Sequence, residues 1–169
     1  MAKKIAAVLA DDFEDVEFTG PAKAYKDAGH TVVVIGKEKG ATITGKHGAK
    51  VTADASIDDV KPDDFDALLI AGGYSPDNLR DDDRFVNFTK AFADKDRNVF
   101  AICHGPQLLI TADAVKGRNI TGYKSIAVDL KNAGGNYKDQ EVVVSGNLVT
   151  SRTPDDIPAF NRESLKKLA

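Results

Sequence analysis

From Asn98 to Ile110 the chain reads NVFAICHGPQLLI, and the reading of this stretch decides the fold. Asn98–Ile102 is a short, nearly continuous apolar run. Runs of that kind suit a strand buried on both faces, as in a parallel sheet covered by helices. The chain must then turn at Cys103-His104-Gly105, and Pro106 suits the first turn of a helix, where its missing N–H costs nothing. Strand, tight turn and helix in this order predict a side chain held above the carboxyl edge of a sheet, in the manner of a nucleophile elbow built with cysteine.

Working outward, three further runs have the same character: Ile5–Ala10, Thr31–Ile35 and Ala67–Ala71. Between them lie stretches with helical spacing. Val16–Gly29 (VEFTGPAKAYKDAG) sets Phe18, Ala22 and Tyr25 near one face, with a kink or fresh turn expected at Pro21 and a glycine stop at Gly29. From Asp83, DRFVNFTKAFADKD sets Phe85, Phe88 and Phe92 on one stripe, with Asp83 expected as N-cap. Strands alternating with helices predict an α/β fold with a mainly parallel sheet and helices on both faces. Two β-hairpin additions are expected. One is ATITGKHGAKVTAD at 41–54, and the other is EVVVSGNLVTSR at 141–152, turned at Gly146-Asn147. A last helix should follow Pro154 and run to Leu168, giving one domain over residues 1–169.

The bulk properties narrow the function. A chain of 169 residues can bury roughly 70% of its unfolded surface without staples. One cysteine allows no internal disulfide and fits a reducing compartment. The opening MAKKIAAVLADDFED is too short in apolar residues for a secretory leader, and no run approaches the ~18 apolar residues of a membrane span. A soluble, cytoplasmic protein is expected. With 23 basic and 26 acidic residues and a net charge of −3, binding by phosphate neutralisation has no support. Neither does a metal or nucleotide cofactor. His30, His47 and His104 show no ligand spacing, and no glycine-rich phosphate motif follows a strand.

Cys103 is the lead candidate for chemistry. A lone cysteine at a strand end is commonly just a small hydrophobe. Here the turn and the helix behind it point amides and a partial positive charge at the sulfur, which predicts a lowered thiol pKa and a nucleophilic thiolate. His104 can serve as base or proton shuttle if a partner orients it. LLIAGGYSPDNLR, residues 68–80, ends a strand in Gly72-Gly73. Paired glycines there let backbone approach a ligand and offer amides to an oxyanion. Asp77 can cap the short helix or orient a histidine. Ser75 lacks a nucleophile context. In DDFEDVEFTGP, residues 11–21, most acids are expected to stay solvated. Glu17 sits in a partly apolar stretch, and if buried near sulfur it would be neutral and able to donate a hydrogen bond.

FEDVE (13–17), GKHG (45–48), AGGYSPD (71–77), AICHGPQ (101–107) and SRTPDD (151–156), in this order, resemble the PfpI family of the ThiJ/PfpI superfamily. The resemblance spans essentially the whole chain. It implies a flavodoxin-like three-layer sandwich, related to the class I glutamine amidotransferase fold, and a homodimer or a hexamer built from dimers. It implies Cys103 as nucleophile, Glu17 as its protonated partner, His104 as the neighbouring base, the Gly73 and His104 amides facing the reacting oxygen, and Tyr123 lining the pocket. In peptidase-like members a glutamate from a neighbouring subunit orients the histidine. This chain has Asp77 there, one methylene shorter. Three readings follow. The leading one is a cofactor-independent stress enzyme acting on reactive carbonyls, of glyoxalase or protein-deglycase type. The second is an intracellular cysteine peptidase with an inter-subunit Cys-His-Asp triad. The third is a redox sensor or holdase chaperone, since an accessible low-pKa thiol oxidises readily.

Overall fold

In the computed structural model, which describes residues 1–169, the runs read as strands lie side by side at the centre of the molecule. In chain order the elements are β1 (Lys4–Val8), α1 (Asp15–Asp27), β2 (Thr31–Gly36), β3 (Thr42–Thr44), β4 (Lys50–Thr52), β5 (Ala55–Ser56), β6 (Ala67–Ile70), α2 (Ser75–Arg80), α3 (Asp83–Asp94) and β7 (Asn98–Ile102). They continue with α4 (Pro106–Thr111), β8 (Asn119–Ile120), α5 (Ala127–Asn132), β9 (Asn136–Tyr137), β10 (Val143–Ser145), β11 (Leu148–Ser151) and α6 (Ile157–Leu168). The main sheet has the order β10-β11-β7-β6-β1-β2-β5, parallel except for the β10–β11 hairpin. The 41–54 stretch forms a separate antiparallel ribbon, β3–β4. The short parallel pair β8–β9 had no signal in the sequence pattern.

Alternation along each strand divides the core into two layers. Ile5, Ala7 and Leu69 face α1 and α6, meeting Phe18, Ala22, Tyr25 and Phe160. Ala6, Val8, Leu68 and Ile70 face the other way, meeting the Phe85, Phe88 and Phe92 stripe of α3 and Leu108 of α4. Each buried aromatic of that stripe contributes about 1.5–3 kcal/mol of transfer free energy. The fold is therefore the α/β three-layer, flavodoxin-like arrangement, with helices on both sheet faces. No helix is long and apolar enough to cross a membrane.

Helix α1 continues from Asp15 to Asp27 with a buried Pro21 inside it. One local expectation is corrected. The cap of α3 is Asp82, whose carboxylate accepts from the Arg84 amide at 3.1 Å, and Asp83 is the first helical residue.

Strand order positions the site. The chain steps from β1 to β2 on one side, then returns to place β6 on the other side of β1. Crossovers leaving β1 and β6 therefore diverge, which opens a crevice beyond their carboxyl ends, the usual place for a ligand in such sheets. The segments after β1, β6 and β7 all end at that crevice. Two hydrogen bonds tie the first two together: Glu14 N to Gly72 O (3.1 Å) and Tyr74 N to Asp12 O (2.8 Å).

Candidate active site

Cys103 follows β7 with φ of +62°, a left-handed conformation rare for residues with a Cβ and worth about 1–2 kcal/mol of strain. Tertiary hydrogen bonds hold it there: its N–H donates to Ser151 O at 3.0 Å, and its carbonyl accepts from Tyr123 N at 2.8 Å. Gly105 makes the turn possible. A Cβ at 105 would lie 2.6 Å from Ile70 O and 2.9 Å from Ile102 O.

Glu17 stands in the first turn of α1 and is completely buried. Its Oε1 accepts from the Gly72 amide at 3.0 Å. Its Oε2 is buried with no hydrogen-bond partner, and the carboxyl and the Cys103 thiol are close enough for each to shift the ionisation of the other. The approach depends on Gly72, where a Cβ would sit 2.3 Å from Glu17 Oε1 and 2.9 Å from Cys103 Cβ. Burial, aided by the charge of Glu14, pushes the Glu17 carboxyl up to about 8, so it is neutral at pH 7.

The expectation of a thiolate set up by helix dipoles is corrected. Cys103 retains 7% of its surface. Burial, then the Glu17 charge, push the thiol well above its ordinary range, and the His104 amide opposes this only in part. Desolvation is the largest cause and outweighs the one amide, that of His104, that favours the thiolate. A neutral Glu17 reverses its own contribution, because a protonated carboxyl donates toward sulfur and favours the thiolate. The two groups thus titrate as a pair.

His104 Nδ1 lies 3.4 Å from Cys103 Sγ, and Nε2 lies 3.3 Å from Ser125 Oγ. The ring stacks on Tyr123, with centroids 4.9 Å apart and planes at 25°. Burial and the Lys46 charge lower the imidazole pKa, leaving a neutral base at pH 7.

These groups line one cleft of about 560 Å³, together with Gly73 and Tyr74. Asp77 also lines it, but its carboxylate pairs with Arg80 at 3.1 Å, and within the chain the imidazole is bonded to Ser125. The structure thus brings Cys103, His104, Glu17, Gly72, Gly73 and Tyr123 together, and leaves Asp77 turned to its own helix. Ser75 is buried and accepts from Ala10 N at 3.0 Å.

Sequence reasoning missed several lining residues. Glu14, read as solvated, is an anchor: its carboxylate lies 3.1 Å from both Lys46 Nζ and His47 Nε2. His47, which the sequence gave no metal-ligand spacing, belongs to that cluster. Lys46, Gln107 and Pro154 also face the cleft. Nothing in the sequence pattern pointed to Ser125, which is 21 residues from its partner.

Comparison with known proteins shows what the chain resembles. The model of the DJ-1/PfpI family matches residues 3–167. Over 99% of both chains, the sequence is 67% identical to general stress protein 18 of Bacillus subtilis and 59% identical to protein/nucleic acid deglycase 2 of Escherichia coli. It is 62% identical, with the same coverage, to the Bacillus subtilis protein YraA, whose name provisionally makes it a cysteine protease. Among solved structures, a two-domain protein of Anabaena variabilis with DJ-1/ThiJ/PfpI-like and ferritin-like domains superposes with a TM-score of 0.96 at 38% identity. The match covers 98% of this chain and 48% of that longer one.

Proposed function

The chain belongs to the DJ-1/PfpI family, and on that premise we propose that it is a Cys103-dependent stress enzyme acting on reactive carbonyls, of glyoxalase or deglycase type. One observation carries this reading: a nearly buried thiol sits beside a neutral carboxyl, Glu17, and a neutral imidazole, His104, in one cleft of about 560 Å³. A small aldehyde needs little of the thiol's surface to react with it. The names of the stress-protein and deglycase relatives agree with it.

The chemistry follows from these groups. As sulfur attacks the aldehyde carbon of a 1,2-dicarbonyl, the S–H proton passes to His104 and then to the carbonyl oxygen, giving a hemithioacetal. The amide of Gly73, and that of His104 as it turns from sulfur, can then donate to the developing oxyanion. His104 next removes the proton from the former aldehyde carbon, and the electron pair moves onto the neighbouring carbonyl oxygen. Reprotonation at the adjacent carbon gives a 2-hydroxy thioester, and water releases the 2-hydroxy acid and the thiol. No external oxidant or reductant is needed. Glu17, neutral, donates to sulfur throughout.

The test is incubation with methylglyoxal in the absence of glutathione, with lactate as the readout. Turnover by the wild type and none by Cys103→Ala is the expected result. Lactate formation equal in the two proteins overturns the reading. A second reading, a cysteine peptidase, is favoured by the 3.4 Å contact between Nδ1 and sulfur and by the name of YraA. It requires self-association, as a homodimer or hexamer, that brings Asp77 of one copy to His104 of another, and therefore activity that disappears on dilution to monomer.

A further inference from the structure

The Gly45–Gly48 turn is anchored more heavily than an exposed hairpin tip requires. Asp15 accepts from His47 N (3.0 Å) through Oδ1 and from Ala49 N (2.9 Å) through Oδ2. Lys46 N donates to Phe13 O at 2.9 Å. A Cβ at Gly45 would lie 2.2 Å from Asp15 Oδ1, so the turn is pressed against the start of α1. The Lys46 side chain is then fixed by Glu14 Oε2 at 3.1 Å. The result is an ammonium group held at the wall of the Cys103 cleft, where it is the only lysine or arginine lining the space. An ammonium has three donors, and Glu14 takes one.

We propose that Lys46 is the specificity-determining residue of this site: its ammonium binds the second oxygen of a 1,2-dicarbonyl while Cys103 takes the adjacent aldehyde carbon. This rests on the carbonyl reading above and assigns the residue that holds the second oxygen of its 1,2-dicarbonyl substrate. Two oxygens on neighbouring carbons need two electrophilic positions. The first oxygen has the Gly73 and His104 amides. The second gains negative charge when the proton leaves the aldehyde carbon, and a fixed cation at that point stabilises the intermediate where charge develops. Lys46 lines the same space as Cys103, Glu17 and His104, and its charge contributes to the lowered imidazole pKa. Glu14 acts as a positioning residue, since it holds Lys46 and is not needed at the substrate.

The experiment compares Lys46→Met and Lys46→Arg with the wild type. Two readouts are taken at pH 7: steady-state lactate formation from methylglyoxal, and the second-order rate of Cys103 alkylation by iodoacetamide. Lys46→Met should lower kcat about ten-fold or more, with alkylation within about three-fold of wild type, and Lys46→Arg should recover most of the loss. Glu14→Gln should lower kcat less, because the lysine stays but loses its anchor. Unchanged kcat in Lys46→Met overturns the proposal. So does an equal fall in turnover and alkylation, which would make Lys46 a partner of the thiol alone. A wild type without Cys103-dependent lactate overturns the carbonyl reading itself, and that result is seen before any Lys46 variant is made.

Discussion

Replacing Glu17 with Gln should make the protein more stable and the gain should depend on pH. Gln keeps an acceptor for the Gly72 amide and a donor toward Cys103, so it copies the neutral acid and removes only the ionisation. In the folded chain the carboxyl titrates at about 8, against 4.5 when exposed. The folded-state value is the higher one, so the group's contribution is complete below pH 4.5 and is lost as pH rises toward 8. Each step of one pH between those limits costs the folded state about 1.4 kcal/mol. At pH 7 the wild type has therefore lost about 3 kcal/mol that Glu17→Gln retains. For a chain of this length that corresponds to roughly 6–12 °C in melting temperature. Denaturation of both proteins from pH 4.5 to 8.5 measures it. The two curves should converge near pH 4.5 and separate steadily until about pH 8. A gap that does not change with pH, or a wild type that is the more stable at pH 8, refutes the assignment of a neutral buried carboxyl.

Further outcomes follow from the same geometry. At pH 9 the Glu17 charge opposes ionisation of sulfur, so Glu17→Gln should be alkylated by iodoacetamide several-fold faster than wild type, with little difference at pH 7; equal rates at pH 9 would contradict the coupling. Gly72→Ala places a methyl 2.3 Å from Glu17 Oε1 and should cost about 1–3 kcal/mol in urea denaturation, with loss of Cys103-dependent turnover. Ser125→Ala removes the side-chain partner of His104 Nε2, and should lower kcat by roughly three- to ten-fold while leaving stability within about 0.5 kcal/mol.

The elements were legible in the sequence because burial imposes local patterns. Continuous apolar runs marked β1, β2, β6 and β7, with Asn98–Ile102 correct at both ends. The phenylalanine stripe marked α3, and Gly146 marked the second hairpin. The Cys103 turn was legible too, since a strand, a glycine and a proline at a helix start constrain the backbone over only a few residues. The motif resemblance supplied Glu17, His104 and Tyr123 as neighbours of the thiol, and the geometry gathers them.

What only the tertiary structure decided is how those neighbours are paired and charged. Glu17 meets Gly72 across 55 residues, and Ser125 meets His104 across 21, distances over which no periodicity carries information. Asp77 pairs with Arg80, three residues on along its own helix, at 3.1 Å. The protonation of the sulfur belongs here as well. A helix start behind a cysteine can be read from residue types, but the depth at which packing seals the thiol and an acid together cannot. Desolvation depends on every atom around the pair, and it outweighs the few dipoles that the local sequence specifies.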